Sequence, residues 1–250
     1  LTRDWRRYLL LFPLSALVWW MFELLNMRLE NWSYLGRELF SDLHYAAFAS
    51  LSFSTVMPAV FGTADLLTTF GPFRSGFRGR QGDGTGPEGE GQAAYVPAGS
   101  RGKDGGGAAG RKQDALLLVS GCVLLAALLV WPDLLFPLAW VAPLLILEGV
   151  GGYAGVRTLR SLVSEGAGGG VAALAAGALT CGFFWEMWNQ YSFPKWIYHI
   201  PYADLLHVFE MPLAGYGGYL PFGPLLFSVA SLAYGLKPRG GRGGRRDLLW

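Results

Sequence analysis

The sequence predicts an all-α, polytopic membrane protein of about six transmembrane helices, arranged as two parallel repeats with broken second helices. Three observations predict it. Of the 250 residues, 52% are hydrophobic and only 15% are charged, which is too apolar for an ordinary soluble domain. The apolar residues run together: 115–131 and 134–147 carry almost no charge, and each is close to bilayer length. Polar residues inside the apolar stretches also recur. Glu23, Asn26, His44 and Pro58 return 163 positions later as Glu186, Asn189, His207 and Pro221, while Trp32 and Tyr34 return as Trp196 and Tyr198, displaced by one. Glu, Asn and His are costly among apolar side chains, so a repeat that copies those types marks an internal duplication.

The first segment, 8–26, follows Arg3, Arg6 and Arg7. It is not a cleaved leader, because it holds Glu23, lacks a small-residue cleavage site and belongs to the repeat. The chain begins at Leu1 rather than Met and is expected to lack a few N-terminal residues. The second segment, 44–70, is too long for one simple crossing and contains Pro58, which removes a backbone donor; a broken or re-entrant helix is expected. These two segments form a first half, 1–71. Residues 72–112 are dominated by Gly with scattered charges, the composition of a disordered cytoplasmic linker. Segments three and four, 115–131 and 134–152, and segment five, 169–190, are apolar throughout most of their length. Gly151 and Gly155, four apart, and the small residues from Ala172 to Ala178 suit tight helix contacts. Segment six, 205–235, repeats the length and the proline (Pro221) of segment two. The remaining helices, 113–236, thus include a second repeat over 182–235, and 237–250 form a basic tail.

Charge sets direction. Basic residues precede segment one, fill the linker, recur at Arg157 and Arg160, and follow segment six, so every second connection is basic and both termini are expected in the cytoplasm. The Glu23 and Glu186 segments are then an even number of crossings apart and run the same way, which makes the repeat parallel. A bacterial or archaeal inner membrane is the expected location. The Arg/Gly tail reads as an anchor for anionic lipid headgroups, and no nucleic-acid partner is expected.

The candidate site follows from the repeat. Glu23 and Asn26, like Glu186 and Asn189, are three apart and share a helix face. A carboxyl group in apolar surroundings is suited to giving up a proton. His44 and His207 are expected to open segments two and six, with Glu210 on the same helix face as His207. Two His and several Glu are also donor types for a divalent metal, but no single helix carries a tight ligand spacing; no metal and no cofactor are expected. Glu148 is a third intramembrane acid without a repeat partner. Cys122 and Cys181 lie in apolar runs and read as packing residues. Trp185, Trp188, Trp196 and Tyr198 cluster at the outer interface, either as an aromatic belt or as a π-lined pocket.

The stretch Trp185-Glu186, Lys195-Trp196-Ile197-Tyr198, Pro201 and Phe209-Glu210-Met211-Pro212 resembles the signature of the membrane-embedded, heterodimeric-type lycopene cyclases, with a weaker version at Trp20, Glu23, Trp32 and Tyr34. The Pro-x-Glu-Glu motif of that family is absent. The resemblance implies a membrane enzyme of isoprenoid substrates, acting by protonation without a redox cofactor, with Glu186 and Glu210 as the acid and its partner.

The reading that follows is cyclase- or isomerase-like acid–base chemistry on an apolar isoprenoid or lipid substrate. Glu186, Glu210, His207, Glu23 and His44 are its acid–base candidates, and Asn189, Asn26, Trp185, Trp196 and Tyr198 would hold the substrate. Two other functions fit the same sequence. One is a small proton-coupled carrier, which with six helices would call for a homodimer; the other is a non-catalytic scaffold among membrane lipids. Phosphate-binding Gly loops, Cys metal sites and nucleophile elbows are absent from the sequence, which argues against nucleotide and serine hydrolases.

Overall fold

A computed structural model describes residues 5–73, 107–202 and 204–235. Most of the linker and the whole basic tail therefore lie outside the described residues. The chain is mostly helical, and four helical stretches are long and apolar enough to cross a membrane: Trp5–Leu29, Asp42–Leu67, Ala108–Val130 and Gly168–Asn189.

In chain order, α1 (Trp5–Leu29) leads into strand β1 (Trp32–Leu35), then α2 (Asp42–Ser54) and α3 (Val56–Leu67). Next come α4 (Ala108–Val130), the short α5 (Pro132–Leu135), α6 (Leu138–Ala154), the short α7 (Leu159–Ser164) and α8 (Gly168–Asn189). The chain closes with strands β2 (Lys195–Tyr198), β3 (His207–Val208) and β4 (Met211–Pro212), a 3-10 turn over Leu213–Gly218, and α9 (Tyr219–Gly235). Helices α6 and α9 have 17 residues each, shorter than any of those four stretches. Helix α4 begins at Ala108, so the end of the stretch assigned to the linker is its first turn.

The expected break in the second segment falls at Thr55, between α2 and α3, and its cause is visible. Ser15 of α1 inserts its hydroxyl into the backbone ladder: the Met57 N–H donates to Ser15 Oγ at 3.0 Å, and Ser15 Oγ donates to the Phe53 carbonyl at 2.5 Å. A side chain wedged into an i→i−4 bond is a standard cause of a kink. Pro58, one residue after that N–H, adds a position with no donor to lose.

Segment six folds differently from the expectation. Residues 205–218 form no α-helix: β3 and β4 make a two-stranded hairpin, with His207 paired to Pro212 and Val208 to Met211, and a 3-10 turn follows. Leu206 and Phe209 take left-handed backbone (φ 52° and 59°), which no helix accommodates. The shared helix face proposed for His207 and Glu210 therefore does not exist.

Glycine sets the helix spacing, at positions other than the expected Gly151 and Gly155. Gly155 closes α6 in left-handed backbone with open space around its Cβ position. Close approaches include Gly121, Gly149 and Gly152 between α4 and α6, Gly177 of α8 against α3, and Gly223 of α9, where a Cβ would lie 2.1 Å from the Leu174 carbonyl oxygen. Helix α8 is thus gripped between α3 and α9, and Met57, Val60, Leu174, Phe222 and Phe227 pack the core there.

The strands β1 and β2 form an antiparallel ribbon beyond the helix ends, pairing Trp32 with Tyr198, Ser33 with Ile197, and Tyr34 with Trp196. The Trp of each strand faces the Tyr of the other.

Candidate functional site

Glu23 is the hub of the first half. Its Oε1 accepts from the indole N–H of Trp19 (3.2 Å) and of Trp32 (3.1 Å) and from the Tyr34 hydroxyl (2.6 Å). Glu186 has a matching set: Trp196 donates to Oε2 at 3.4 Å, while the Tyr198 and Tyr219 hydroxyls donate to Oε1 at 2.6 and 2.9 Å. Glu186 is fully buried and Glu23 partly so. Three donors around one carboxyl group are the hydrogen-bond complement of its anion.

The two asparagines fix the strands to the helix ends. Asn189 donates to the Trp196 carbonyl (2.8 Å) and accepts the Trp196 N–H (2.9 Å). Asn26 donates to the Trp32 carbonyl (2.8 Å) and accepts the N–H of Asn31 (2.9 Å) and Trp32 (3.3 Å). In each half a helix residue clamps the strand backbone, and a carboxylate one helical turn earlier clamps the strand's Trp and Tyr side chains. The repeated polar residues are thus the hardware that holds four aromatic side chains in place.

One difference between the halves reveals a residue the sequence did not point to. The third donor to Glu23 is Trp19, and 163 positions later stands Gly182. A Cβ on Gly182 would lie 2.4 Å from Tyr219 Cε2. The Tyr219 ring occupies the space left open there, and its hydroxyl supplies the missing third hydrogen bond. Gly at the position 163 residues after Trp19 was the available signal.

Between the two hubs lies a cavity of about 1310 Å³. Trp19, Trp32, Tyr34 and Tyr45 from the first half and Trp185, Trp196, Tyr198 and Tyr219 from the second contribute to its wall, together with Trp140 of α6 and Phe222 of α9. Trp140 packs on Phe22 and Phe222, with ring centroids 4.8 and 5.3 Å away. No Lys, Arg, His, Asp or Glu lines the cavity among the described residues; Glu23 and Glu186 stand behind the aromatic wall. Phe48 and Leu51 of α2 line the cavity and are largely exposed, as are Trp188 and Phe193, so the cavity is open at an apolar rim. Only Phe53 of α2 is buried.

The remaining candidates sit apart from this cavity. His207 is exposed and paired with Asp204 at 2.8 Å. His44 is exposed in the first turn of α2, with Nδ1 3.0 Å from Ser41 Oγ. Glu210 forms an ion pair with Lys195. His199, in the outer loop, reaches Ser33 Oγ at 2.9 Å. Glu148 receives the Ser228 hydroxyl (2.7 Å) and the Leu159 N–H (2.9 Å), joining α6 to α9 and to the start of α7. Among the described residues, no three His, Cys, Asp or Glu side chains converge in a metal-binding group. Cys181 is buried beside Thr63, and Cys122 is exposed.

The tyrosines of the ribbon and of the 3-10 turn are held protonated. Burial, then the charge of Glu23, pushes the Tyr34 phenol well above its ordinary value. Burial first, then Tyr219 and Glu186 beside it, does the same for Tyr198. Tyr216 is pushed up to about 12, by burial and then by Glu186.

The fold and site define a class: an α-helical protein with helices able to cross a membrane and an aromatic chamber flanked by two buried-carboxylate hubs. The chain matches no family model, no curated protein and no solved structure.

Proposed function

We propose that this is an integral membrane protein of six crossing helices in two parallel repeats, with both termini cytoplasmic, that holds a long apolar isoprenoid or lipid substrate and acts on it by cyclase- or isomerase-like acid–base chemistry. The observation that carries the reading is the chamber itself. Its volume exceeds the roughly 300–1,000 Å³ typical of small-molecule pockets, and its wall is uncharged and aromatic. The repeat is supported by the matched hydrogen-bond sets of Glu23 and Glu186 and by a ribbon whose pairing is unchanged when the two halves are exchanged.

The carboxylates do not touch the cavity, so protons pass through the phenols that do. With a proton on Glu186 the hydrogen bond to Tyr198 reverses: the carboxyl group donates to the phenol oxygen, and the phenol proton turns to the cavity. Its transfer to a carbon–carbon double bond forms a C–H bond and leaves a carbocation, while Tyr198 takes the Glu186 proton. Loss of a proton from a neighbouring carbon restores a double bond and returns the proton by the same route. The net change is isomerisation or ring closure, with no oxidant or reductant. The resemblance to heterodimeric-type lycopene cyclases favours this chemistry. In this geometry Glu210, His207 and His44 stand outside the relay.

The test is lipid analysis of the full chain purified from producing cells, beside Tyr198→Phe. An apolar lipid enriched over the bulk membrane extract, with an altered substrate-to-product ratio in Tyr198→Phe, supports the proposal. Absence of any enriched lipid overturns it.

A second reading rests on a specific observation: each carboxylate and each asparagine is fully engaged in holding a strand to a helix. On that reading the protein is a scaffold, and Tyr198→Phe lowers stability while every lipid ratio stays unchanged.

A further inference from the structure

The electrostatics of the chamber are one-sided. Glu23 and Glu186 are each held by three neutral donors, and among the described residues no cation is bonded to either. Arg37, the cation stacked on Tyr45, is paired with Asp42, and Lys195 is paired with Glu210; neither lines the cavity. Two carboxylates thus face the same space through a thin aromatic layer, with no cation among the described residues on the inner side of it. In a water-poor cavity their field acts at much lower screening than at a surface.

The wall limits what can answer that field. The indole N–H groups of Trp32 and Trp196 and the hydroxyls of Tyr34, Tyr198 and Tyr219 are committed to the carboxylates. These five residues leave mainly aromatic carbon to the cavity. A primary ammonium or guanidinium entering there would give up its hydrogen bonds to water with few acceptors in return. A positive charge with no N–H groups gives up none, and aromatic walls attract it directly.

We propose that the chamber is a binding site for lipophilic cations that lack hydrogen-bond donors, above all a quaternary ammonium group carried on an alkyl chain. The inference rests on the reading of the cavity as a chamber for an apolar chain and adds the charge of its ligand. The chain lies toward the opening beside Phe48 and Leu51, and the ammonium sits between Trp32 and Trp196. The same group occurs in lipid headgroups and in small free ions, and the structure favours the lipid form because the opening is apolar.

The test titrates the full chain in uncharged nanodiscs with three probes, read by tryptophan fluorescence: an alkyltrimethylammonium, its neutral analogue with carbon in place of nitrogen, and tetramethylammonium. The wild-type protein is expected to bind the alkylammonium about tenfold more tightly than the carbon analogue. In Glu23→Gln/Glu186→Gln the ratio of alkylammonium to carbon-analogue affinity, taken within the same protein, falls several-fold towards the residual attraction of the aromatic faces. Equal affinities in the wild type overturn the proposal without any variant being needed, and leave the apolar chamber standing. A ratio left unchanged by both Gln replacements overturns it too. Binding of neither chain-bearing probe overturns both this proposal and the chamber reading beneath it. Tetramethylammonium competing as strongly as the alkylammonium overturns the assignment to a chain-bearing ligand.

Discussion

Gly182→Ala is the sharpest probe of how the second hub is built. In an isolated helix the change would stabilise by about 1 kcal/mol, because Ala is the better helix former. Here the added methyl would sit 2.4 Å from Cε2 and 2.5 Å from Cδ2 and Cζ of Tyr219. The ring has little room to retreat, since Trp185 and Tyr216 pack on it with centroids 6.3 and 6.1 Å away. Forcing a methyl into a filled site costs about 1–3 kcal/mol. Displacing the Tyr219 hydroxyl from Glu186 removes a hydrogen bond to a charged group, worth about 1.5–3 kcal/mol. After the helix gain is subtracted, a net destabilisation of about 1.5–5 kcal/mol is expected. Unfolding of the detergent-solubilised protein, followed by tryptophan fluorescence, measures it. Tyr219→Phe removes the same hydrogen bond, so combining the two changes should cost less than the sum of the single effects. A Gly182→Ala protein as stable as the wild type, or more stable, would refute the idea that Tyr219 fills the place of the missing side chain.

Asn189→Ala should destabilise by about 2–4 kcal/mol in the same assay, because it leaves the N–H and carbonyl of Trp196 without their partner in a buried setting; Asn26→Ala should behave alike at Trp32. Gly223→Ala should do more harm than either, since a Cβ there meets the Leu174 carbonyl oxygen at 2.1 Å and backbone cannot yield as a side chain can; loss of the folded fraction on size-exclusion chromatography reads it. On alkaline titration followed by tyrosinate absorbance, Tyr34 and Tyr198 should stay protonated well beyond the ordinary tyrosine range, while Tyr216 ionises at about 12. Because the folded values lie above the unfolded one, the stability these phenols contribute is fully present below about pH 10 and is lost as pH rises beyond it.

Much of the fold was legible from composition and spacing. Long apolar runs determine membrane-crossing helices because a chain in lipid must satisfy its own backbone, and each of the four long stretches falls where an apolar run had been read. The helix break near Pro58 was legible as well, although its direct agent, the Ser15 hydroxyl from another helix, was not. The repeat of Glu, Asn, Trp and Tyr marked the hubs, because polar groups in an apolar setting are kept where they have partners.

What those partners were, only the tertiary structure decided. Sequence placed Glu186 and His207 in one site, but the chain between Asp204 and Gly218 turns through left-handed positions and carries His207 to the exposed side of a hairpin. Spacing along a chain predicts neighbours only while the backbone stays regular, and there it does not. Tyr219 is 33 residues from Glu186 and enters its shell because Gly182 leaves room, a fact of volume rather than of pattern. The chamber likewise belongs to no segment. It exists because two strands, each fastened to its own helix, pair with one another and hold their aromatic side chains around a common space.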